Sequence, residues 1–302
     1  MEAIRNKQNQ INIVLDEKRM HDPLEKDSFY DSANSFTQIE EQMKGFIGLE
    51  PVKEIVKEIY ATHMVNAKRQ ELGLTTSHQV LHMLFKGNPG TGKTTFARTL
   101  ASIYKNMNIL SKGHFIEAER ADLVGEYIGQ TAQKTRALIQ KSMGGILFID
   151  EAYALGRGGE KDFGKEAIDT LVKHMEDHQN DFALILAGYP HEMEQFLELN
   201  PGLRSRFPFI VPFDDYKTNE LMEIAQTMVH DKEYVLTNTA QWKLQSHIEQ
   251  MKMDQQINFS NARYIRNLLE KAIRRQAMRV YSTGTMKMPD VLHLIADDIQ
   301  MY

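Results

Sequence analysis

The sequence predicts an α/β fold in three layers, a parallel sheet with helices on both faces, followed by a small all-helical domain. Three observations carry that expectation. Apolar runs of strand length, "VLHMLFKG" (80–87), "GHFIEAE" (113–119), "GGILFID" (144–150), "FALILAGY" (182–189) and "FPFIVPF" (207–213), alternate with longer segments of helical spacing. Continuously apolar strands separated by helices mark a parallel sheet buried on both sides. The first run ends in a glycine-rich turn that leads into a helix, and beyond residue 213 the strand-like runs stop while helical spacing continues.

Taken in chain order, residues 1–38 are polar and irregular, with "DPLEKDSFYDSANSF" at their end, and read as a flexible N-terminal arm without a core of its own. Residues 39–212 hold the strands and the helices between them. Residues 213–302 form the helical domain. "KTNELMEIAQTMVHD", "NTAQWKLQSHIEQMK" and "SNARYIRNLLEKAIRRQAMR" repeat apolar positions at helical intervals, and "MPDVLHLIADDIQ" opens with the proline and aspartate that favour a helix start.

Composition bounds the function. With 42% hydrophobic residues in 302, a core of ordinary size is available. The chain has no cysteine, which excludes disulfides, thiolate metal sites and cysteine nucleophiles and suits a reducing compartment such as the cytoplasm. A net charge of -5 lacks the basic excess of a nucleic-acid binder and favours protein partners. No window approaches the roughly 20 apolar residues of a bilayer crossing, and the first residues lack a signal-peptide core, so no membrane insertion is expected.

The turn after the first strand is Gly87-Asn88-Pro89-Gly90-Thr91-Gly92-Lys93-Thr94, which fits G-x-x-x-x-G-K-[ST] in the strand-to-helix context a P-loop requires. Its glycines let successive N–H groups curl towards an anion, and the helix that follows adds its positive N-terminal dipole. The nucleotide-binding set runs from Pro89 through Gly90, Thr91, Gly92, Lys93 and Thr94 to Thr95. Lys93 brings a point charge to the β- and γ-phosphates of ATP, and the Thr94 hydroxyl is placed for Mg²⁺. "GGILFIDEAYAL" supplies the partner carboxylates at a second strand end: Asp150 to hold magnesium, and Glu151 to orient or deprotonate the attacking water.

With "GNPGTGKTT", "DLVGEYIGQTAQKT", "ILFIDEAYAL", "LILAGY" and "NPGLRSRFP" in that order, residues 39–302 resemble the AAA+ ATPases, and within them the CbxX/CfxQ branch, which includes a bacterial sporulation protein and red-type Rubisco activases. The resemblance implies a P-loop sheet with a helical lid. It implies that "GFIGLEPVKEIV" closes over adenine through Ile47 and Gly48, and that Arg204 and Arg206 are arginine-finger candidates for a neighbouring subunit's γ-phosphate. Arg263, with Arg266 three residues on, becomes the second sensor on a helix capped by Ser260. Where many relatives carry asparagine or threonine as first sensor, this chain offers Tyr189. Tyr127-Ile128-Gly129 falls in a pore loop, and "GRGGEKDFGKE" (156–166) in a second one.

These matches imply an ATP-hydrolysing protein-remodelling motor, a homo-oligomeric ring of six subunits that pulls a client polypeptide into a central pore. The build of the sporulation member implies work in spore maturation, in the mother-cell cytoplasm. A nucleic-acid remodelling ATPase and a nucleotide-gated assembly scaffold with little turnover are the alternatives. The former would show nucleic-acid-stimulated, salt-sensitive hydrolysis, and the latter would lose nothing measurable on Glu151→Gln.

Overall fold

The computed structural model describes residues 36–76, 79–127, 129–158, 162–253, 259–284 and 286–300. Residues 42–302 form one compact unit. Of the expected arm, residues 1–35 lie outside the described residues, and 36–38 begin a helix that runs to 43.

Five parallel strands make the main sheet: β1 (Met83–Gly87), β2 (Phe115–Ala118), β3 (Ile146–Ile149), β4 (Ala183–Gly188) and β5 (Phe209–Phe213), in the order β2-β3-β4-β1-β5. β3 and β4 are buried along their whole length, as their unbroken apolar sequences require. β5 is an edge strand that alternates buried and exposed positions and carries Pro212. Proline has no N–H to give a ladder, and the edge is where a sheet tolerates that.

Alternate residues face opposite layers. Leu84, Leu147, Leu184 and Leu186 enter a core with Ile139, Ile168, Leu171, Phe196 and Phe207. On the other face Phe85, Phe96 and Phe213 form an aromatic triangle with centroids 4.8 to 6.3 Å apart, and Phe46 packs edge-on against Phe96 at 5.1 Å. Each such side chain contributes about 1.5–3 kcal/mol by leaving water, so the floor beneath the loops is stiff.

The helices of this part are α1 (Glu50–Glu71), α2 (Lys93–Asn106), α3 (Arg120–Leu123), α4 (Gln130–Ser142), α5 (Gly164–Asp177), α6 (Pro190–Glu198) and α7 (Pro201–Arg206). The second half carries α8 (Thr218–His230), α9 (Asn238–Met253), α10 (Asn261–Thr283) and α11 (Met288–Leu292). It departs from the sequence expectation in one respect. The helix expected over "MPDVLHLIADDIQ" stops at Leu292, and β7 (His293–Leu294) pairs in parallel with β6 (Val235–Leu236). Buried Asp298 explains the change, because its carboxylate accepts the Ile295 N–H and a two-pronged grip from Arg279, which favours a turn over another helical turn. Arg279 of α10 is thereby engaged in an internal tie. No helix among the described residues is long and apolar enough to cross a membrane.

Candidate active site

β1 ends against β5 so closely that a Cβ at Gly87 would lie 2.3 Å from the Phe213 carbonyl oxygen. The chain then turns through Gly90 (φ +73°) and Gly92 (φ +96°) before α2 begins at Lys93. Both glycines occupy the left-handed region that only glycine visits freely. Gly90 is doubly constrained, since a Cβ there would meet the Ser260 carbonyl oxygen at 2.1 Å.

Lys93 is buried, and its ammonium donates to the carbonyls of Gly87 (2.7 Å) and Asn88 (2.8 Å). Burial pulls its pKa down to about 8, with the Asp150 carboxylate the strongest influence in the opposite direction. A buried cation at the mouth of a glycine turn fits an anionic ligand, which would restore the charged form.

A cleft of about 360 Å³ opens above the strand ends, and Pro89, Gly90, Gly92, Lys93, Thr94, Thr95, Asp150, Glu151, Tyr189 and Arg263 all line it. Sequence-distant candidates thus meet at the C-terminal edge of a parallel sheet, where such folds bind ligands. Thr91 is fully buried behind them, its carbonyl accepting from the Tyr216 hydroxyl at 3.0 Å. The Thr94 hydroxyl and the Asp150 carboxylate offer the hard oxygen ligands magnesium takes alongside phosphate oxygens. Among the described residues no group of three or more His, Cys, Asp or Glu side chains gathers to hold a metal alone.

Glu151 follows Asp150 with φ +46° and ψ +42°, and its N–H donates to the Asp150 carboxylate at 2.9 Å. A glutamate in that region costs of order 1–3 kcal/mol, a strain that collects at functional sites. Its side chain is exposed and near the Tyr153 phenol, whose pKa is pushed up to about 12 by burial first and by the Glu151 carboxylate second. Tyr153 stacks on Tyr189 (5.7 Å, 27°), and Arg157 sits 4.6 Å over its ring.

Other expected residues lie elsewhere. From "GFIGLEPVKEIV" the cleft is lined by Gly45 and Phe46, whereas Gly48, at φ +65° beside the Glu220 carboxylate, and Ile47 turn the chain into α1. Ser260 precedes α10 without a side-chain capping bond, and its carbonyl accepts the Arg263 and Tyr264 N–H groups instead. Arg263 and Arg266 line the cleft as a pair. On α7, away from the cleft lining, Arg206 is engaged with the Gly202 carbonyl (2.8 Å) and Glu176 (2.7 Å). Arg204 is 66% exposed and reaches Glu194 only at 3.7 Å. Tyr127, before the left-handed Gly129 that starts α4, is 68% exposed, while Ile128 lies outside the described residues. Residues 159–161 of the 156–166 segment also lie outside them; its end is anchored by the Arg120–Asp162 pair at 2.6 Å.

Sequence reasoning overlooked Tyr153, Tyr216 and Asn261. Tyr153 stands two residues after Glu151, so its position was the available signal; the other two act through contacts between distant segments.

The profile of the ATPase family associated with various cellular activities (AAA) matches residues 83–215, and that of the AAA lid domain matches 217–301. Stage V sporulation protein K of Bacillus subtilis is 53% identical, over 99% of this chain and 96% of that protein. Protein CbbX of Cereibacter sphaeroides is 44% identical over 85% of this chain and 82% of its own length. The chloroplastic ribulose bisphosphate carboxylase/oxygenase activase of Cyanidioschyzon merolae is 44% identical over 87% and 92%. Among solved structures, the FIGL-1 AAA domain in complex with ADP superposes with a TM-score of 0.57 at 18% identity, covering 84% of this chain and 80% of that one. A mutant of Thermotoga maritima RuvB gives 0.55 at 21%, covering 84% and 69%. These two speak to the fold.

Proposed function

Because the chain belongs to the AAA family of ATPases and is itself an ATPase, we propose that it is a protein-remodelling motor, a homo-oligomeric ring of six subunits that draws a client polypeptide into its central pore. In this reading the loop amides, Lys93 and the α2 dipole hold the polyphosphate, with Thr94 and Asp150 holding magnesium, which supplies charge neutralisation when bound. Glu151 orients the attacking water. Tyr189 serves as first sensor and Arg263 as second. Arg204 is the finger that reaches a neighbour's γ-phosphate, because Arg206 is already committed to Glu176 and Gly202. A guanidinium so placed spreads over developing charge and is worth about 10³-fold or more in rate.

The observation that carries the motor reading is Tyr127, a large aromatic left 68% exposed on a loop. A ring of such phenols grips extended chain through contacts that scarcely depend on sequence. A relative named as an activase of another enzyme supports a protein client. The sporulation relative supports spore maturation and the mother-cell cytoplasm as the setting.

The experiment is client trapping. Glu151→Gln protein purified with ATP and magnesium should hold a client and run as a closed ring in analytical ultracentrifugation. Tyr127→Ala should keep ATP hydrolysis within about twofold of wild type and lose the trapped client. Equal trapping with and without the phenol would sink the pore.

A further inference from the structure

Consecutive carbonyls of the phosphate loop are each occupied. Those of Gly87 and Asn88 accept from Lys93, within the loop's own segment. The next three are held from the lid side. Pro89 accepts from the Asn261 side-chain amide at 3.4 Å, Gly90 from the Ala262 N–H at 3.2 Å, and Thr91 from the Tyr216 hydroxyl at 3.0 Å.

Those donors are themselves fixed. The Asn261 amide also donates to Asp215 at 2.7 Å, and its oxygen accepts the Tyr216 N–H at 3.1 Å. Asp215 in turn receives the Asn88 amide on both oxygens at 3.0 Å. Asn261 is fully buried and sits at φ +47°, a conformation uncommon outside glycine although asparagine tolerates it best.

A trans peptide opposes its C=O and N–H across one plane, and the described residues contain no cis bond. Holding the carbonyls of Pro89, Gly90 and Thr91 therefore sets the direction of the N–H groups of Gly90, Thr91 and Gly92. Those three N–H groups have no backbone acceptor among the described residues.

We infer that Asn261 and Tyr216 are positioning residues for nucleotide binding: they hold the outer face of the phosphate loop so that its inner N–H groups converge on the polyphosphate. The inference rests on the P-loop reading of the cleft. It gives the lid a second task beside presenting Arg263, because unseating the tip of α10 releases the peptide planes and weakens the phosphate site. By linkage, nucleotide seats the lid to the same degree.

The test uses the full-length protein and titration calorimetry with ATP and with ADP, both in magnesium. Tyr216→Phe removes one hydroxyl and keeps the ring. Asn261→Gly removes the amide and takes the left-handed φ without strain. Each variant is expected to bind both nucleotides about five- to tenfold more weakly, the worth of a single hydrogen bond. KM should rise by a similar factor with a much smaller change in kcat; Tm should stay close to that of the wild type for Tyr216→Phe and fall for Asn261→Gly, which also gives up the bonds to Asp215 and the Tyr216 N–H. Affinities within twofold of wild type, alongside a Lys93→Ala protein that no longer binds, would overturn the clamp and leave the P-loop standing. Lower kcat and Tm with an unmoved KM would also overturn it, since that is the pattern of a merely structural role. ATP binding by Lys93→Ala at wild-type affinity would remove the P-loop reading and the clamp together.

Discussion

The floor of the cleft and its roof are built on different physics. The floor rests on β1 and on β3 and β4, the last two buried along their whole length, and Ile146 to Ile149 expose nothing to solvent. Lys93, Asp150 and Glu151 emerge from that packing, and moving them means deforming a close-packed core. The roof, the tip of α10 with Arg263 and Arg266, is seated through Asn261, Tyr216 and Asp215 by a handful of hydrogen bonds. Each contributes only about 1 kcal/mol net. The chemistry stands on the part that cannot move, and in the proposed motor the coupling would stand on the part that can detach.

The comparison breaks most completely at Lys93. Lys93→Ala removes the buried ammonium of the floor and should leave no ATP binding detectable by calorimetry, while circular dichroism and Tm report an intact fold. Tight binding by that variant would mean the floor does not hold the phosphates.

Next in size are the proposed catalytic groups. Arg204→Ala should lower kcat by about 10³-fold and Arg206→Ala by far less, because the second guanidinium is tied down within its own chain. Glu151→Gln should cost about 10²- to 10³-fold at saturating ATP. Mixing Arg204→Ala with Glu151→Gln subunits should restore part of the rate, since each donates what its neighbour lacks. A flat mixing curve would confine the site to one subunit.

A smaller effect sharpens the electrostatics of the floor. Lys93 holds its proton less firmly than an ordinary lysine, with a pKa of about 8, and a polyphosphate favours the charged form. ATP affinity should therefore be flat below pH 8 and fall about tenfold per unit above it, as binding must take up a proton. The sign for folding is opposite. The unfolded chain binds more protons between about 8 and 10.5, so this group makes the folded state more stable as pH rises through that window. Isothermal titration in buffers of differing ionisation enthalpy reads the uptake directly.

The floor was legible in the sequence because its information is local. A glycine-rich turn, a lysine at a helix start and two acids after an apolar run each declare themselves within ten residues, and the strands around them announce burial by their continuous hydrophobicity. The roof was half legible. Arg263 and Arg266 follow from the resemblance of "SNARYIRNLLEKA" to a sensor helix, but Asn261 and Tyr216 matter through partners more than forty positions away, and nothing local marks a side chain that will hydrogen-bond a distant carbonyl. The turn at Asp298 was hidden for the same reason, since Arg279 decides it from another helix. In "GFIGLEPVKEIV" the residues that line the cleft are Gly45 and Phe46, because left-handed Gly48 and Leu49 redirect the backbone into α1.

The smallest effect separates the carboxylate from its holder. The Tyr153 phenol is raised in pKa by burial and by the nearby Glu151 carboxylate, while its ring stacks on Tyr189 and carries Arg157 over it. Tyr153→Phe keeps that stack and deletes only the hydroxyl, so Glu151 retains its charge and its backbone seat but loses a restraint on its side chain. A lost polar neighbour of this kind is worth about 1 kcal/mol at most, which puts the change in kcat below about tenfold, at least an order of magnitude less than Glu151→Gln. ATP affinity should stay at the wild-type value, because the phenol touches neither the phosphate loop's carbonyls nor Lys93. Should Tyr153→Phe match Glu151→Gln in rate, the phenol itself would be the group facing the water, and the floor's chemistry would have to be reassigned from the acid to the tyrosine beside it.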